Sequence, residues 1–250
     1  MSHREEYRQW PFVTDDEFAL VCAFLDQRYI KARLGPTRQV FKIRSRWTAT
    51  TGSCYIEIIR LLQLSEDQDE LSLALQKLNG GREEPSEVDM EIDVENEDGD
   101  QEALRPDLEN HKPGTTTYQI PSQCNPYLSL PYVVYEIHLH PTYRIPTLWF
   151  TLHDLPMSEP TFDLNSVYRY LVPEGYKSQL RDAGITGGIS AAPHPITDVP
   201  SFFIHPCQTK EAMERFDCPM TDYLMVWLGL VGGCVGLWLP PEMAQENTNG

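Results

Sequence analysis

One cysteine in the chain stands where its neighbours could do chemistry with it. Cys207 lies in IHPCQTKEAMERF (204–216), directly after His205 and Pro206 and ahead of a segment with helical signals. A free thiol has a pKa of about 8.5 and is mostly protonated at neutral pH, whereas only the thiolate attacks an acyl carbon well. Thr209 reads as the N-cap of a helix over 209–216. Cys207 would then sit just outside the helix start, where unpaired N–H groups and the macrodipole favour an anion. Pro206 fixes its own φ and biases His205 toward extended geometry, so the peptide entering the cysteine is stiff. His205 is two residues from Cys207, so an extended segment directs both to one side. The set is an arrangement for presenting a reactive sulfur. The plain alternative is a small buried hydrophobe, a frequent fate of cysteine, and that is the reading for Cys22, Cys54, Cys124, Cys218 and Cys234. His138 and His140 fall i, i+2 on one strand face and could hold a metal, but no ligand set completes them in the sequence, and they read as solvated strand histidines.

Around this segment the chain signals mixed elements. Thr14-Asp-Asp-Glu17 is a capping box, with Val13 placed to staple onto Phe18. Phe18, Val21, Cys22, Leu25 and Tyr29 then recur on one helical face. In 39–47, Phe41, Ile43 and Trp47 alternate with Lys42, Arg44 and Arg46, a half-buried strand with a basic outer face. Strand signals recur over 54–62, after a Thr-Gly-Ser turn, over 133–140, and over 145–152 beyond Pro141-Thr142. Four strands with short turns predict an antiparallel meander. A helix follows over 164–171 and ends before Pro173; 182–200 reads as a Gly/Pro-rich loop, and SFFI (201–204) is a short apolar run into the cysteine. No internal repeat stands out.

Composition sets further bounds. The chain has 250 residues, 41% apolar, enough for one sizeable core. A formal charge of −17 argues against a nucleic-acid binder, which needs a basic stripe, and against electrostatic attachment to anionic lipid. Residues 83–102 carry eleven acidic and no basic side chains. Such composition cannot bury enough apolar surface to order itself, so 65–116 reads as a disordered insertion between a first part of the domain (1–64) and the remainder (117–250). The alternation EVDMEIDVE (87–95) leaves open a strand that adds to a partner's sheet edge. The six cysteines show no C-x-x-C, and the start MSHREEYRQW has no apolar signal core, which together read as a cytosolic protein with free thiols. The uncharged run 223–239 is broken by glycines and stopped by Pro240-Pro241, so it reads as a buried helix running into an apolar strand and not as a membrane anchor.

PHPITDVPSFFIHPCQTKEAM (193–213), followed by DYLMVWLGLVGGCVGLWLP (222–240), resembles the C-terminal half of the autophagy-related protein ten family, ubiquitin-conjugating-type enzymes that act on the autophagy modifier called twelve. The resemblance continues upstream in VVYEIHLHPTYRIPTLWFTL (133–152) and the helix at 164–171; it is strong over 131–244 and weaker over 47–60. His-Pro-Cys is shared with the sister enzyme of the lipidation branch, and the glycine-studded tail points to this member.

The resemblance implies an α+β ubiquitin-conjugating-enzyme-like fold, a four-stranded antiparallel meander with flanking helices. It implies that Cys207 forms a thioester with the modifier, received from the autophagy activating enzyme, and passes it to a lysine of autophagy protein five. No cofactor or metal is expected on this chain, since ATP is used at the activating step, and recruitment to the forming autophagosome membrane through partners is left open. Ordinary ubiquitin-conjugating enzymes use an asparagine in His-Pro-Asn before the cysteine; here His194-Pro195-Ile196 stands in the comparable place, and the Ile196 side chain cannot donate a hydrogen bond. His205, or backbone N–H groups around Gln208 and Thr209, are the expected oxyanion donors, with His194, Pro195 and Pro206 holding the loop. Trp149-Phe-Thr-Leu152 matches a W-x-x-L modifier-docking motif but falls in an expected strand. The competing readings are a cysteine hydrolase of acyl or isopeptide bonds and a non-catalytic interaction module on the same fold.

Overall fold

The Thr14 hydroxyl accepts the Glu17 N–H at 3.3 Å while the Glu17 carboxylate accepts the Thr14 N–H at 2.6 Å, closing the expected capping box at the head of α1 (Asp15–Lys31). Val13 and Phe18 are each 1% exposed, and the whole expected face, Phe18 through Tyr29, is buried. The structure, a computed structural model, describes residues 2–62, 130–182 and 188–244. The chain divides into one unit made of 1–65 with 129–250 and a second of 66–128. The second unit, and with it the expected insertion 65–116 and its EVDMEIDVE stretch, lies outside the described residues.

Strands β1 (Phe41–Trp47), β2 (Cys54–Leu61), β3 (Tyr132–Leu139) and β4 (Pro146–His153) form the antiparallel meander. Because side chains alternate, the register lines up two kinds of row across the sheet. Ile43, Ile58, Tyr135, Phe150 and Phe202 are successive cross-strand partners, all buried, and this row faces the helices. Arg44, Glu57, Glu136, Trp149 and Phe203 form the next row, on the opposite face. Trp47 departs from its expected half-burial, being 64% exposed at the end of β1.

Two further strands extend the sheet. Residues 189–193, expected as loop, are β5 (Ile189–Pro193), and the apolar run before the cysteine is β6 (Pro200–Ile204), giving the order β1-β2-β3-β4-β6-β5. The sequence holds a signal for this hairpin that periodicity does not reveal. HPTYRIP (140–146) and HPITDVP (194–200) repeat the pattern His-Pro-x-x-x-(Ile/Val)-Pro, so the chain does contain a short internal repeat. Each copy folds into the same turn. The His140 N–H donates to the Ile145 carbonyl at 3.0 Å and Arg144 donates back to His140 at 2.9 Å; His194 donates to Val199 at 2.9 Å and Asp198 back to His194 at 3.0 Å. The residue four past each histidine has positive φ, 53° at Arg144 and 56° at Asp198. Each imidazole Nδ1 accepts the next two free N–H groups, from Thr142 and Tyr143 (3.2 and 3.1 Å) and from Ile196 and Thr197 (3.3 and 3.4 Å). The histidine thereby does at Nδ1 what an aspartate oxygen does in an Asx turn.

Helices α2 (Leu164–Tyr170) and α3 (Glu174–Asp182) follow the meander. The first matches its expectation, with Asp163 as N-cap accepting the Ser166 N–H; the second was not expected and starts just after Pro173, a position proline tolerates. After the cysteine come α4 (Thr209–Met213) and α5 (Tyr223–Val231), whose Tyr223, Leu224, Trp227, Leu228 and Val231 are buried. The tail then turns through a 3-10 segment, Gly232–Val235, and runs on without the expected strand. Tyr135 ties this turn to the sheet, donating to the Val235 carbonyl at 2.7 Å and accepting from Arg60 at 3.2 Å. Among the described residues no helix is long and apolar enough to cross a membrane.

Gly236 closes the tail turn at φ 67°, and a Cβ there would lie 2.5 Å from the Leu171 carbonyl oxygen. Left-handed backbone and overpacking both oppose a side chain, so Gly236→Ala should lower unfolding free energy by about 3 kcal/mol in denaturant titrations. Thr14→Ala, which loses only the cap, should cost about 1 kcal/mol in the same measurement.

Candidate active site

Strand β6 runs through His205 into a 3-10 turn, Pro206–Gln208, which carries the backbone of Cys207 and leads without a break into α4. This corrects two expectations. The helix after the cysteine is five residues long and not eight, and its N-cap is Gln208, with no side-chain cap bond; Thr209 is its first residue and is 7% exposed. Cys207 is therefore inside a continuous turn and not outside a helix start, and a helix this short sums few peptide dipoles. Pro206 is buried and Gln208 exposed, so the turn has an anchored and an open side. Met213, fully buried, seats α4 against the core.

The β3–β4 turn borders this segment. The Tyr143 ring lies 4.5 Å from His140 and meets His205 edge-on at 6.1 Å, while Phe203 lies 6.2 Å from His205. His140 loses basicity, first through burial and then through the positive charge at His205. Spacing alone sets His140 beside His138 as a solvated pair; the structure separates them. His140 belongs to the turn near His205, and His138 is buried on the sheet among other partners.

Those partners form a compact polar cluster. His138 Nε2 and His194 Nε2 each donate to Glu136 Oε2 at 2.8 Å. The side chains of His138 and His194 are 12% and 7% exposed, so neither is a solvated strand residue. Tyr55 stacks on the His138 ring at 4.7 Å, and Trp149 meets His194 edge-on at 5.6 Å. Burial by itself would raise the Glu136 pKa, but the bonds and positive charge from the two imidazoles outweigh it and hold the carboxyl down at about 2. Burial depresses His138 against the pull of Glu136. The stability that Glu136 contributes is therefore complete above its ordinary pKa of 4.5 and is lost as pH falls toward 2. That of neutral His138 begins to be lost as pH falls below 6.5.

Among the described residues this is also a group whose ligand atoms lie close enough together, within 4.8 Å, to hold a metal ion. The hydrogen bonding argues against that use. His194 Nδ1 accepts two backbone N–H groups, so the ring proton sits on Nε2 and is spent on Glu136. The nitrogen lone pair that would face an ion is occupied by its own proton. The set is a hydrogen-bonded clamp.

Three of the other described cysteines are poor nucleophiles, while the Cys54 thiol is lowered by its hydrogen bond from Cys22 and is buried. Cys22 is pushed up by burial and by its contact with Cys54, and burial raises Cys218 and Cys234 each to about 11. Trp149 and Leu152 of the W-x-x-L match lie in β4, with Trp149 stacked on Phe203 at 4.7 Å and Leu152 2% exposed, so the motif is sheet structure.

A family model described as the active-site domain of autophagocytosis associated protein matches residues 17–242. The ubiquitin-like-conjugating enzyme ATG10 of Gibberella zeae is 42% identical over 247 residues, covering 95% of this chain and 98% of that protein. The human ubiquitin-like-conjugating enzyme ATG10 is 32% identical over 125 residues, 46% of this chain and 54% of that protein. Taken with the six-stranded sheet and its flanking helices, these matches mean that the chain belongs to the family of autophagy conjugating enzymes that share this active-site domain.

Proposed function

We propose that the protein accepts the autophagy modifier twelve as a thioester on Cys207, from the autophagy activating enzyme, and transfers it in the cytoplasm to a lysine of autophagy protein five. The observation that carries this reading is the placement of Cys207. It follows strand β6 in a turn beside His205, with an exposed neighbour on one side and a buried proline on the other, whereas Cys22, Cys54 and Cys218 are buried. The acidic segment 65–116 is an insertion within the same conjugating domain in this account.

Charging is a transthioesterification. The Cys207 thiolate attacks the carbonyl of the modifier bound to the activating enzyme, an oxyanion forms and collapses, and the activating enzyme's thiolate leaves. In discharge the neutral lysine amine attacks the same carbonyl, the C–S bond breaks as the isopeptide bond forms, and the amine's proton ends on the departing Cys207 sulfur or in solvent. Neither step needs an activated water, and one would hydrolyse the intermediate. Each step does need donors aimed at the oxyanion. Ile196 offers none from its side chain, and its N–H is given to His194. His205 and the N–H groups of Gln208 and Thr209 are the candidates in this account, with His194 and Pro195 shaping the turn behind them.

With activating enzyme, modifier twelve and ATP, the protein should form an adduct on non-reducing gels that thiol removes; Cys207→Ser should abolish it or leave a thiol-resistant oxyester, and Cys218→Ser should behave as the parent. Adduct formation on Cys207→Ser that thiol still reverses would refute the assignment. His205→Ala should still charge but discharge at least about tenfold more slowly in single-turnover assays, in line with loss of an oxyanion donor. An unchanged rate would transfer that role to the backbone.

A further inference from the structure

We infer that Glu136 and His138 are positioning residues of the active site: they clamp His194, and so fix the β5–β6 turn and the strand that delivers Cys207. This rests on Cys207 being the acyl carrier. The need for a clamp follows from the sheet. β3 and β4 are in register over their full lengths, from Tyr132 with His153 to Leu139 with Pro146, whereas β4 and β6 are partnered at Trp149 with Phe203 and Phe150 with Phe202. Backbone pairing thus holds the β5–β6 hairpin along a short stretch, and side chains must supply the rest of its fixation.

They do so on the face away from the helices. Glu136 lies opposite Trp149, and Trp149 opposite Phe203, so one row runs from β3 to the active-site strand. The β5–β6 turn folds back over that row until His194 meets Glu136 at 2.8 Å, with Trp149 held between His194 and Phe203. Glu136 also faces Glu57 directly across β2 and β3, an arrangement that is unfavourable for two free carboxylates. Arg46 takes Glu57 at 3.0 Å, which leaves the two imidazoles to satisfy Glu136. His138, held under Tyr55, keeps the carboxylate oriented toward His194. The twin turn at His140 makes the same backbone bonds with its ring on Tyr143, so folding of the turn and its attachment to the sheet are separable properties.

The test uses the full-length protein and the variants Glu136→Gln, His138→Gln and His194→Gln. Each is followed by thermal unfolding, by charging and single-turnover discharge, and by nitrogen NMR of the histidine rings. Glu136→Gln should remain folded, keep the parent's KM for the activating enzyme, and discharge about tenfold more slowly, the loss expected of a misplaced reacting group. Because His194→Gln also removes the turn bonds at Nδ1, the double variant should be no slower than His194→Gln alone, the Glu136 contact being already lost there. His138→Gln, which keeps the carboxylate, should give a smaller loss of the same kind and serves if Glu136→Gln fails to fold. A folded Glu136→Gln that discharges at the parent's rate, or losses that multiply in the double variant, would overturn the clamp. In the NMR spectra, parent His194 should carry its proton on Nε2 and that signal should move in Glu136→Gln; a proton on Nδ1 would also overturn it. If the parent itself does not charge at Cys207, the functional reading fails, and the NMR result still decides whether the clamp exists.

Discussion

Everything at the active site depends on how β6 is held against β4. Besides its pairing with β5, that strand meets β4 along one short stretch, Trp149 with Phe203 and Phe150 with Phe202, just ahead of Cys207. Phe202 extends the buried row that begins at Ile43, so its ring is packed by the same core that seats α1 and α5. Phe203 extends the row on the other face, where Trp149, His194 and Glu136 lock it. One strand is thereby gripped from both faces of the sheet. A carboxylate between two imidazoles is costly to bury and directional once satisfied, which suits it to fixing position.

The chemistry that follows is economical. In the proposed reaction the acyl group moves between nucleophiles and must not pass to water, and the segment around Cys207 offers a stiff approach, a short helix and a neighbouring histidine. The histidines of the chain divide by what their Nδ1 atoms do. His140 and His194 spend theirs on turns, which fixes the proton of each ring on Nε2. His194 turns that proton toward Glu136, and His140 sits near His205, its basicity lowered by burial first and then by that neighbour.

Much of this fold was legible because periodicity and caps act locally. The Thr14–Glu17 box, the Phe18–Tyr29 face and the four meander strands need only near neighbours to be read. The β5–β6 hairpin was hidden because Ser190, Ala191 and Ala192 carry little apolar contrast, and its turn is signalled by a repeat of HPTYRIP and not by alternation. The resemblance reached Cys207 and His194, whereas spacing could not pair His194 with Glu136, 58 positions earlier in the chain by 194 − 136, because only the sheet register brings them together. His138 and His140 illustrate the same limit: i, i+2 spacing put them on one face, but one entered a buried cluster and the other a turn. The helix after Cys207 is shorter than expected because past Met213 it tightens into i→i−3 turns, Arg215 donating to Ala212 at 3.3 Å and Phe216 to Met213 at 3.0 Å.

The central claim is that Cys207 carries the modifier, and an alkylation-protection map tests it most directly. Unsubstituted protein would be charged with activating enzyme, modifier twelve and ATP, unfolded at low pH to preserve the thioester, labelled with a thiol-alkylating reagent active there, and mapped by peptide mass spectrometry. The account predicts that charging protects Cys207 while the other five cysteines label as they do in uncharged protein, and that protection disappears after thiol treatment. Full labelling of Cys207 in material carrying the adduct, or protection at another cysteine, would contradict it.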